Sequence, residues 1–372
     1  MGGREQKYVE EAFSSNWLST VGSHLTEIEA GFGLMTGRFS VALSSGTSAL
    51  HLALRLAGTG PGDEVVTPTL SFAASANPIL YERAVPVFID SERQTWNIAP
   101  ALLEDFLQGR ARRNRLPKAV IAVHLFGQPA QMERIVEICK CYGVCLIEDA
   151  AESLGARYRG HHPGTLGDVG AFSFNGNKMI TGTTGGMLVA RQEAWADRAR
   201  KWSQQAKDTD PEGINNFVHS ELGYNYRMSN VVAGIVRGQL EILTQRVEQR
   251  RAVFARYRAG LADIPGIEPQ PDAPDSIHSR WLSCFLVDQK VFGMSAAGLI
   301  RYLDAANVEA RPVWKPLHTQ PLYRECEVIG GNVAKDLHRR GICLPSSSSL
   351  TESEQAFVIA RIRETAGKQT RR

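Results

Sequence analysis

Three short stretches carry residue types that could do chemistry. In AFSFNGNKMITGTTGGMLVA (171–190), Lys178 is the one lysine among small, mostly neutral residues, with the apolar β-type runs GAFSF and GGMLVA on either side. Surface lysines usually sit among other charges. A lysine between two buried strands is desolvated, and desolvation favours the neutral, nucleophilic amine of Schiff-base chemistry. In LIEDAAES, Asp149 closes an apolar strand and points out at the sheet edge. It could cap the next segment or pair with a buried cationic ring nitrogen; Glu152, three residues on, could face the same space. In LSSGTSALHLAL a strand gives way to a Ser-Ser-Gly-Thr-Ser turn and then a helix. Glycine allows close backbone approach, and the first helical N–H groups are unpaired at the positive end of the helix dipole. The turn therefore reads as a phosphate cradle, or as a plain helix start capped by Ser45 or Thr47. It lacks the lysine of a P-loop and the triple glycine of a dinucleotide fingerprint.

Taken together, a phosphate cradle, an acid at a strand end and a desolvated lysine meet the three needs of pyridoxal phosphate. Asp149 would keep the pyridine nitrogen protonated so that the ring draws electrons, and Lys178 would form the Schiff base and shuttle the proton. The TGTTGG that follows the lysine would let backbone pass close to a ligand. The small, neutral neighbours of Lys178 fit this role, because a nearby carboxylate would hold it as ammonium.

The elements that must position these groups are legible in the pattern. From Phe39 to about Ala190, continuously apolar runs rich in Val and Ile alternate with helical runs. Such runs suit strands covered on both faces, and the alternation predicts a mostly parallel α/β sheet with ligands beyond the carboxyl ends of its strands. Ser229 to Leu261 reads as one long helix without proline, and IEPQPDAPDSIHS as a linker or irregular loop. A strand in RWLSCFLVD, a helix in SAAGLIRYLDAANV, a strand in EARPVW and a final helix from Thr351 make a smaller α+β unit. The expected division is a large domain over 1–240 and a small one over 241–372, consistent with 372 residues being too long for one ordinary core.

Composition excludes other classes. Apolar residues are 43% and charged residues 22%, and the net charge of +3 is too weak to imply nucleic acid or a polyanionic surface. The basic pieces GRARRNR (109–115) and KQTRR (368–372) read as a solvated loop and tail. No apolar run approaches membrane-spanning length, and no signal-peptide pattern is seen. Cys139, Cys141 and Cys145 in CKCYGVC match neither a C-x-x-C nor a zinc pattern. They read as reduced core or helix-face thiols of a cytoplasmic protein, Cys145 in the core.

Longer blocks bring a resemblance. SSGTSALHLALRLAG, TPTLSFAASANPILYERAVPVFID, EDAAESLGARYRG, GTLGDVGAFSFNGNK, GGMLV, LGYNYRMSN and GICLPSSSSLTESE resemble the DegT/DnrJ/StrS group of nucleotide-sugar aminotransferases, of the fold-type I pyridoxal phosphate architecture, over nearly the whole chain. The resemblance implies that Lys178 is the Schiff-base lysine, Asp149 the pyridine-nitrogen partner and Glu152 a contact near the ring hydroxyl. It implies that Gly46, Thr47 and Ser48 form the phosphate loop with Ser173, and that Phe72 stacks on the ring. Asn225 would reach the phosphate of the neighbouring subunit, so the active sites of a homodimer would be shared. Relatives often carry a glycine or an acid where Thr183 and Thr184 stand, a departure expected to touch substrate contacts. They also carry a short Leu-Ser-Pro-Pro-like segment before the position of MGG, which is missing here.

The stretch VEARPVWKPLHTQPLY (308–323), with NGNK and SRWLS, resembles the subgroup that aminates C4 of nucleotide-linked 4-keto-6-deoxy sugars, and most of all the UDP-N-acetylbacillosamine-pathway type. That likeness implies UDP-2-acetamido-4-keto-2,4,6-trideoxyglucose as acceptor and L-glutamate as donor, with Trp314, Lys315 and His318 lining the sugar-nucleotide pocket. On the residues alone, His318 reads equally as a hydrogen-bonded loop histidine and Lys315 as a surface lysine. GDP-4-keto-6-deoxymannose is the alternative acceptor. A sugar dehydratase on the same scaffold is disfavoured, because some of those enzymes replace the lysine that this chain keeps.

Overall fold

In chain order the first eight strands are β1 (Phe39–Leu43), β2 (Glu64–Pro68), β3 (Val85–Ile89), β4 (Ala119–Val123), β5 (Cys145–Asp149), β6 (Arg157–Tyr158), β7 (Val169–Ser173) and β8 (Gly186–Ala190). They are seen in a computed structural model that describes residues 1–210 and 217–367. All but β6 join a late strand, Val328–Ile329, in one eight-stranded sheet, ordered β1-β8-β7-β5-β4-β2-β3 with Val328–Ile329 at the edge. Within it β8 alone runs antiparallel to its neighbours β1 and β7, so the sheet is mostly parallel as expected.

Both faces of the sheet are covered, which is why its strands are apolar throughout. Successive strand residues point to opposite faces. On β4, Ile121 and Val123 enter one core cluster while Val120 and Ala122 enter another. The first cluster is roofed by helix α3, the third helix of the chain (Gly46–Leu56, after α1, Glu5–Ser14, and α2, Ser23–Thr36), whose Ala49 to Leu54 are all buried. The second packs against helices Pro100–Ala111 and Met132–Tyr142. This alternation fixes the site. Asp149 shares parity with Ile147, and Ser173 with Val169 and Ala171, so both face the α3 side at the carboxyl ends of β5 and β7. Glu148 faces the opposite side.

A four-stranded sheet, ordered Ile267–Pro269, Ser283–Val287, Gly341–Leu344, Arg311–Pro312, forms the C-terminal part with helices Leu243–Gly260, Ala296–Asp304 and Glu352–Gly367. Three expectations need correction here. The long helix from Ser229 is two helices, Asn230–Leu240 and Leu243–Gly260. Glu241, at the break, pairs with Arg4 at 3.3 Å and accepts from Tyr8, so the N-terminal helix holds a turn that no proline announces. The presumed linker contains strand Ile267–Pro269 and a second, Ser276–Ile277, which pairs with β6. GRARRNR is not merely solvated: helix Pro100–Ala111 extends into it, and Arg110 makes a bidentate pair with Glu64 at 2.7 and 3.1 Å. The KQTRR tail lies outside the described residues, as do residues 211–216 of the polar loop before LGYNYRM.

No helix among the described residues is long and apolar enough to cross a membrane. Cys139 is buried and Cys141 exposed, while Cys145 is only half-buried rather than core. Burial pushes the Cys139 and Cys145 thiols up to about 12, which keeps them protonated and unreactive.

Candidate active site

The carboxyl ends of β5 and β7, the start of α3 and the loop after β7 enclose a cleft of about 290 Å³. Gly46, Thr47, Phe72, Asp149, Glu152, Ser173, Lys178 and Trp314 all line it. The sequence placed these residues together from far-separated segments. Lys315, His318, Asn225 and Ser48 are not among the residues of its wall.

The start of α3 has the features that suit an anion. Ser45 is the N-cap: its side chain accepts from Ser48 N at 3.0 Å, while Ser48 Oγ accepts from Ser45 N at 3.0 Å. This capping box commits Ser48 to the cap and leaves the first-turn N–H groups of Gly46 and Thr47 without helical acceptors. A Cβ on Gly46 would come within 2.9 Å of Ser173 Cβ, so glycine is what lets the helix start lie against Ser173. The glycines of TGTTGG act on the same place. Gly185 has φ +115, and a Cβ on Gly186 would meet the Ser45 carbonyl at 2.4 Å. Thr183 sits at φ 71 and the Thr184 hydroxyl donates to Ser44 O at 2.8 Å, which ties the loop to the cradle.

Asp149 is buried, and both its oxygens are engaged. Oδ1 accepts from Ala151 N at 3.1 Å, and Oδ2 accepts from the Ser75 hydroxyl at 2.6 Å. Ser71 Oγ lies 2.6 Å from Ser75 Oγ, so a chain of hydroxyls orients the carboxylate. Ser75 and Ser71 escaped the sequence reading; the one available signal was their place in LSFAAS beside Phe72.

Lys178 follows β7, its N–H donating to Asn175 O at 3.0 Å. Its side chain is 13% exposed, and Nζ lies 3.7 Å from Glu152 Oε1 and 4.2 Å from the centre of the Trp281 ring. The expectation of no carboxylate near the lysine is thus wrong in space, though right along the chain: β5 and β7 are neighbours, and the turn after β5 carries Glu152 across. Glu152 is itself fixed, Oε2 accepting from Phe126 N at 2.8 Å and Oε1 from Trp314 Nε1 at 3.3 Å. Burial raises the Glu152 carboxyl above its ordinary range, and the charge of Lys178 opposes the rise. Phe126, whose N–H reaches Glu152, holds a left-handed φ of 57, an uncommon conformation for an aromatic residue.

An aromatic wall closes one side. The Phe72 and Trp314 rings are 5.5 Å apart, and Trp314 lies 5.7 Å from Phe126. Phe72 is 54% exposed at the lip, so it is not a core residue and has a free face. Trp281, absent from the sequence-based set although SRWLS was singled out, is 1% exposed and forms part of the wall. The remaining predicted residues lie elsewhere. Lys315 is exposed. His318 Nδ1 pairs with Thr69 Oγ1 at 2.5 Å, as a loop histidine would. Asn225 is exposed and bridges to Gln204.

These residues fit pyridoxal phosphate: helix-start amides with the Ser173 hydroxyl for a phosphate, an oriented carboxylate for a ring nitrogen, and an amine in the same cleft. Comparison with known proteins agrees. The profile of the DegT/DnrJ/EryC1/StrS aminotransferase family matches residues 1–363. EpsN of Bacillus subtilis (strain 168), designated a pyridoxal phosphate-dependent aminotransferase, is 48% identical over 96% of this chain and 92% of its own. GDP-perosamine synthase of Caulobacter vibrioides is 36% identical over 97% and 95%. Among solved structures, a DegT DnrJ EryC1 StrS aminotransferase from Brucella abortus superposes with a TM-score of 0.89 at 28% identity, covering 98% of this chain and 95% of that one. The cofactor is pyridoxal phosphate, the fold is fold-type I, and the enzyme is a sugar aminotransferase: the chain belongs to the DegT/DnrJ/EryC1/StrS aminotransferase family.

Proposed function

We propose that this enzyme moves the amino group of L-glutamate to C4 of a nucleotide-linked 4-keto-6-deoxy sugar, UDP-2-acetamido-4-keto-2,4,6-trideoxyglucose, as a homodimer in the cytoplasm. The observation that carries the reading is the meeting of Lys178, Asp149 and the start of α3 in one cleft. Bound pyridoxal phosphate supplies an aldehyde that takes up amines and a ring that draws electrons. The chain's own groups do the rest. Gly46 and Thr47 N–H and Ser173 Oγ would hold the phosphate, Asp149 would keep a proton on the ring nitrogen, Phe72 would cover the ring and Glu152 would meet the ring hydroxyl. Lys178 Nζ would take the proton from the α-carbon of glutamate, whose amino group passes to the cofactor while water supplies the keto oxygen of the departing 2-oxoglutarate. In the second half-reaction the amino group would pass to the sugar, the ketone oxygen leaving as water, and Lys178 would return a proton to sugar C4. Asn225, exposed and away from its own cleft, is assigned to the neighbouring subunit's phosphate site.

The UDP sugar is supported by the likeness of VEARPVWKPLHTQPLY, NGNK and SRWLS to that subgroup. The 36% identity to a GDP-perosamine synthase supports a second reading, GDP-4-keto-6-deoxymannose. A two-step titration separates them. L-Glutamate should remove the visible absorbance of the bound cofactor, and the UDP-linked 4-keto sugar should restore it. Restoration by the GDP-linked ketone alone would give the second reading, and no response to glutamate would reject amino transfer from this donor.

Trp314, on the cleft wall, is assigned to the sugar, and Lys315 and His318 to the nucleotide side beyond it. If Lys315 meets the diphosphate, Lys315→Ala should raise the sugar-nucleotide KM about tenfold, the loss of one charge-assisted contact worth ~1.4 kcal/mol. The glutamate half-reaction should be unchanged. An unaltered KM would remove Lys315 from the site.

A further inference from the structure

The SRWLS motif has a place in the cleft that none of the roles above uses. Trp281 is held from several directions. Its Nε1 donates to the carbonyl of Asn177, the residue before the lysine, at 2.8 Å. Arg250 Nη1 donates to its carbonyl at 2.9 Å. Ser279 N donates to Gly127 O at 3.0 Å. Gly127 has φ +100, and a Cβ there would come within 2.3 Å of Ser279 Oγ and 3.1 Å of Trp281 N, so only glycine allows this approach. The indole is therefore a fixed surface, and Lys178 Nζ stands 4.2 Å from its ring centre. A cation within about 6 Å of an indole face is attracted by the ring quadrupole, most strongly where water is excluded. Glu152 Oε1 lies 3.7 Å from the same nitrogen, too far for a hydrogen bond but near enough for charge attraction.

Resting on the proposed reaction, the lysine must be released from the cofactor for part of every cycle, carrying a proton and staying within reach of the substrate carbon. We propose that the indole face of Trp281, together with the Glu152 carboxylate, is the resting place of the Lys178 ammonium whenever the lysine is not bonded to the cofactor. Trp281 is thus a positioning residue for the proton carrier. It keeps the amine from swinging out of the cleft between its two proton transfers.

Cyanate tests this on the full chain freed of cofactor. It is small, and it carbamylates only the unprotonated amine, so its rate at Lys178 at neutral pH reads how firmly the ammonium is held. Peptide mass spectrometry follows Lys178, with exposed Lys140 as internal standard. Trp281→Leu should raise the Lys178 rate about 2- to 30-fold, the range that cation–π energies span. Trp281→Phe, which keeps an aromatic face, should stay close to the parent. Tetrafluorotryptophan placed at position 281 keeps the ring's shape but not its negative face, and should raise the rate at least about twofold; it also decides the matter if Trp281→Leu does not fold. Equal rates in the parent and the fluorinated protein would overturn the proposal, and a rise with leucine alone would mark mere unblocking of the cleft. The glutamate half-reaction, measured separately, reads the aminotransferase assignment by itself.

Discussion

Lys178→Ala should abolish multiple turnover, lowering kcat at least about 10⁴-fold, because it removes the group proposed as both nucleophile and proton carrier. Amino-sugar formation, measured with cofactor occupancy confirmed, checks this. Lys178→Arg should fail equally although it keeps the charge, since a guanidinium neither attacks an aldehyde nor gives up its proton. Retained turnover in either would remove Lys178 from the chemistry. The alanine change has a second signature. Burial raises the Glu152 carboxyl above its ordinary value of 4.5, and the Lys178 charge opposes that rise. Without the lysine the carboxyl rises further. A group raised in the folded state favours its protonated form there, so its contribution to stability is whole below the unfolded value and is lost as pH climbs through the folded one. With rising pH, Lys178→Ala should therefore go on losing melting temperature after the parent has levelled off, and Glu152→Gln in the same chain should flatten the slope. The variant also probes the proposed sharing of sites. Mixed with Asn225→Ala subunits, it should regain activity that neither has alone, because one site of the mixed dimer would carry both native residues.

Part of the site was legible in pattern: the apolar run of LIEDAAES put Asp149 at the carboxyl end of a strand, and the LSSGTSALHLAL turn put the start of α3 at a strand end. Ser173 came with the family resemblance, and it shares a face with Asp149 through the pairing of Asp149 with Ala171, two residues before it. What the sequence could not carry were contacts set by packing between distant segments. Glu152 lies beside Lys178 only because β5 and β7 are adjacent in the sheet. Trp281 reaches the lysine from the C-terminal part through the close fit of Gly127 against Ser279. Ser75 reaches Asp149 from the segment after β2. The break at Glu241 is likewise tertiary, since no proline marks it while Arg4 and Tyr8 at α1 hold Glu241. Local rules also left ties that geometry resolved. Ser45 and Thr47 were equal candidates for the cap of α3. The capping box uses Ser45 and Ser48, which frees Thr47 for the cleft.

Asp149→Asn should lower the rate of both half-reactions about 10²- to 10³-fold, a loss of about 2.7–4 kcal/mol, the size typical for removing one preorganised electrostatic group from a closed site. The substitution is close to a pure charge deletion here. The new amide would match the carboxylate in size, and its oxygen would keep the bond from Ala151 N. Its nitrogen would donate to Ser75, which could then donate to Ser71, so that the hydroxyl chain reverses rather than breaks. What disappears is the negative charge proposed to hold a proton on the ring nitrogen, and with it, on that reading, the ring's pull on electrons from the α-carbon of glutamate. If that is the role of Asp149, a cofactor analogue methylated at the ring nitrogen, and so permanently cationic, should recover at least about tenfold of the lost rate in Asp149→Asn. The charge would no longer need a partner to hold it. Stopped-flow measurement of the glutamate half-reaction with each cofactor decides the matter. A variant as fast as the parent would reduce Asp149 to a cap on the turn that follows β5. A slow variant that the analogue does not help would mean that Asp149 acts by placing its neighbours rather than by its charge.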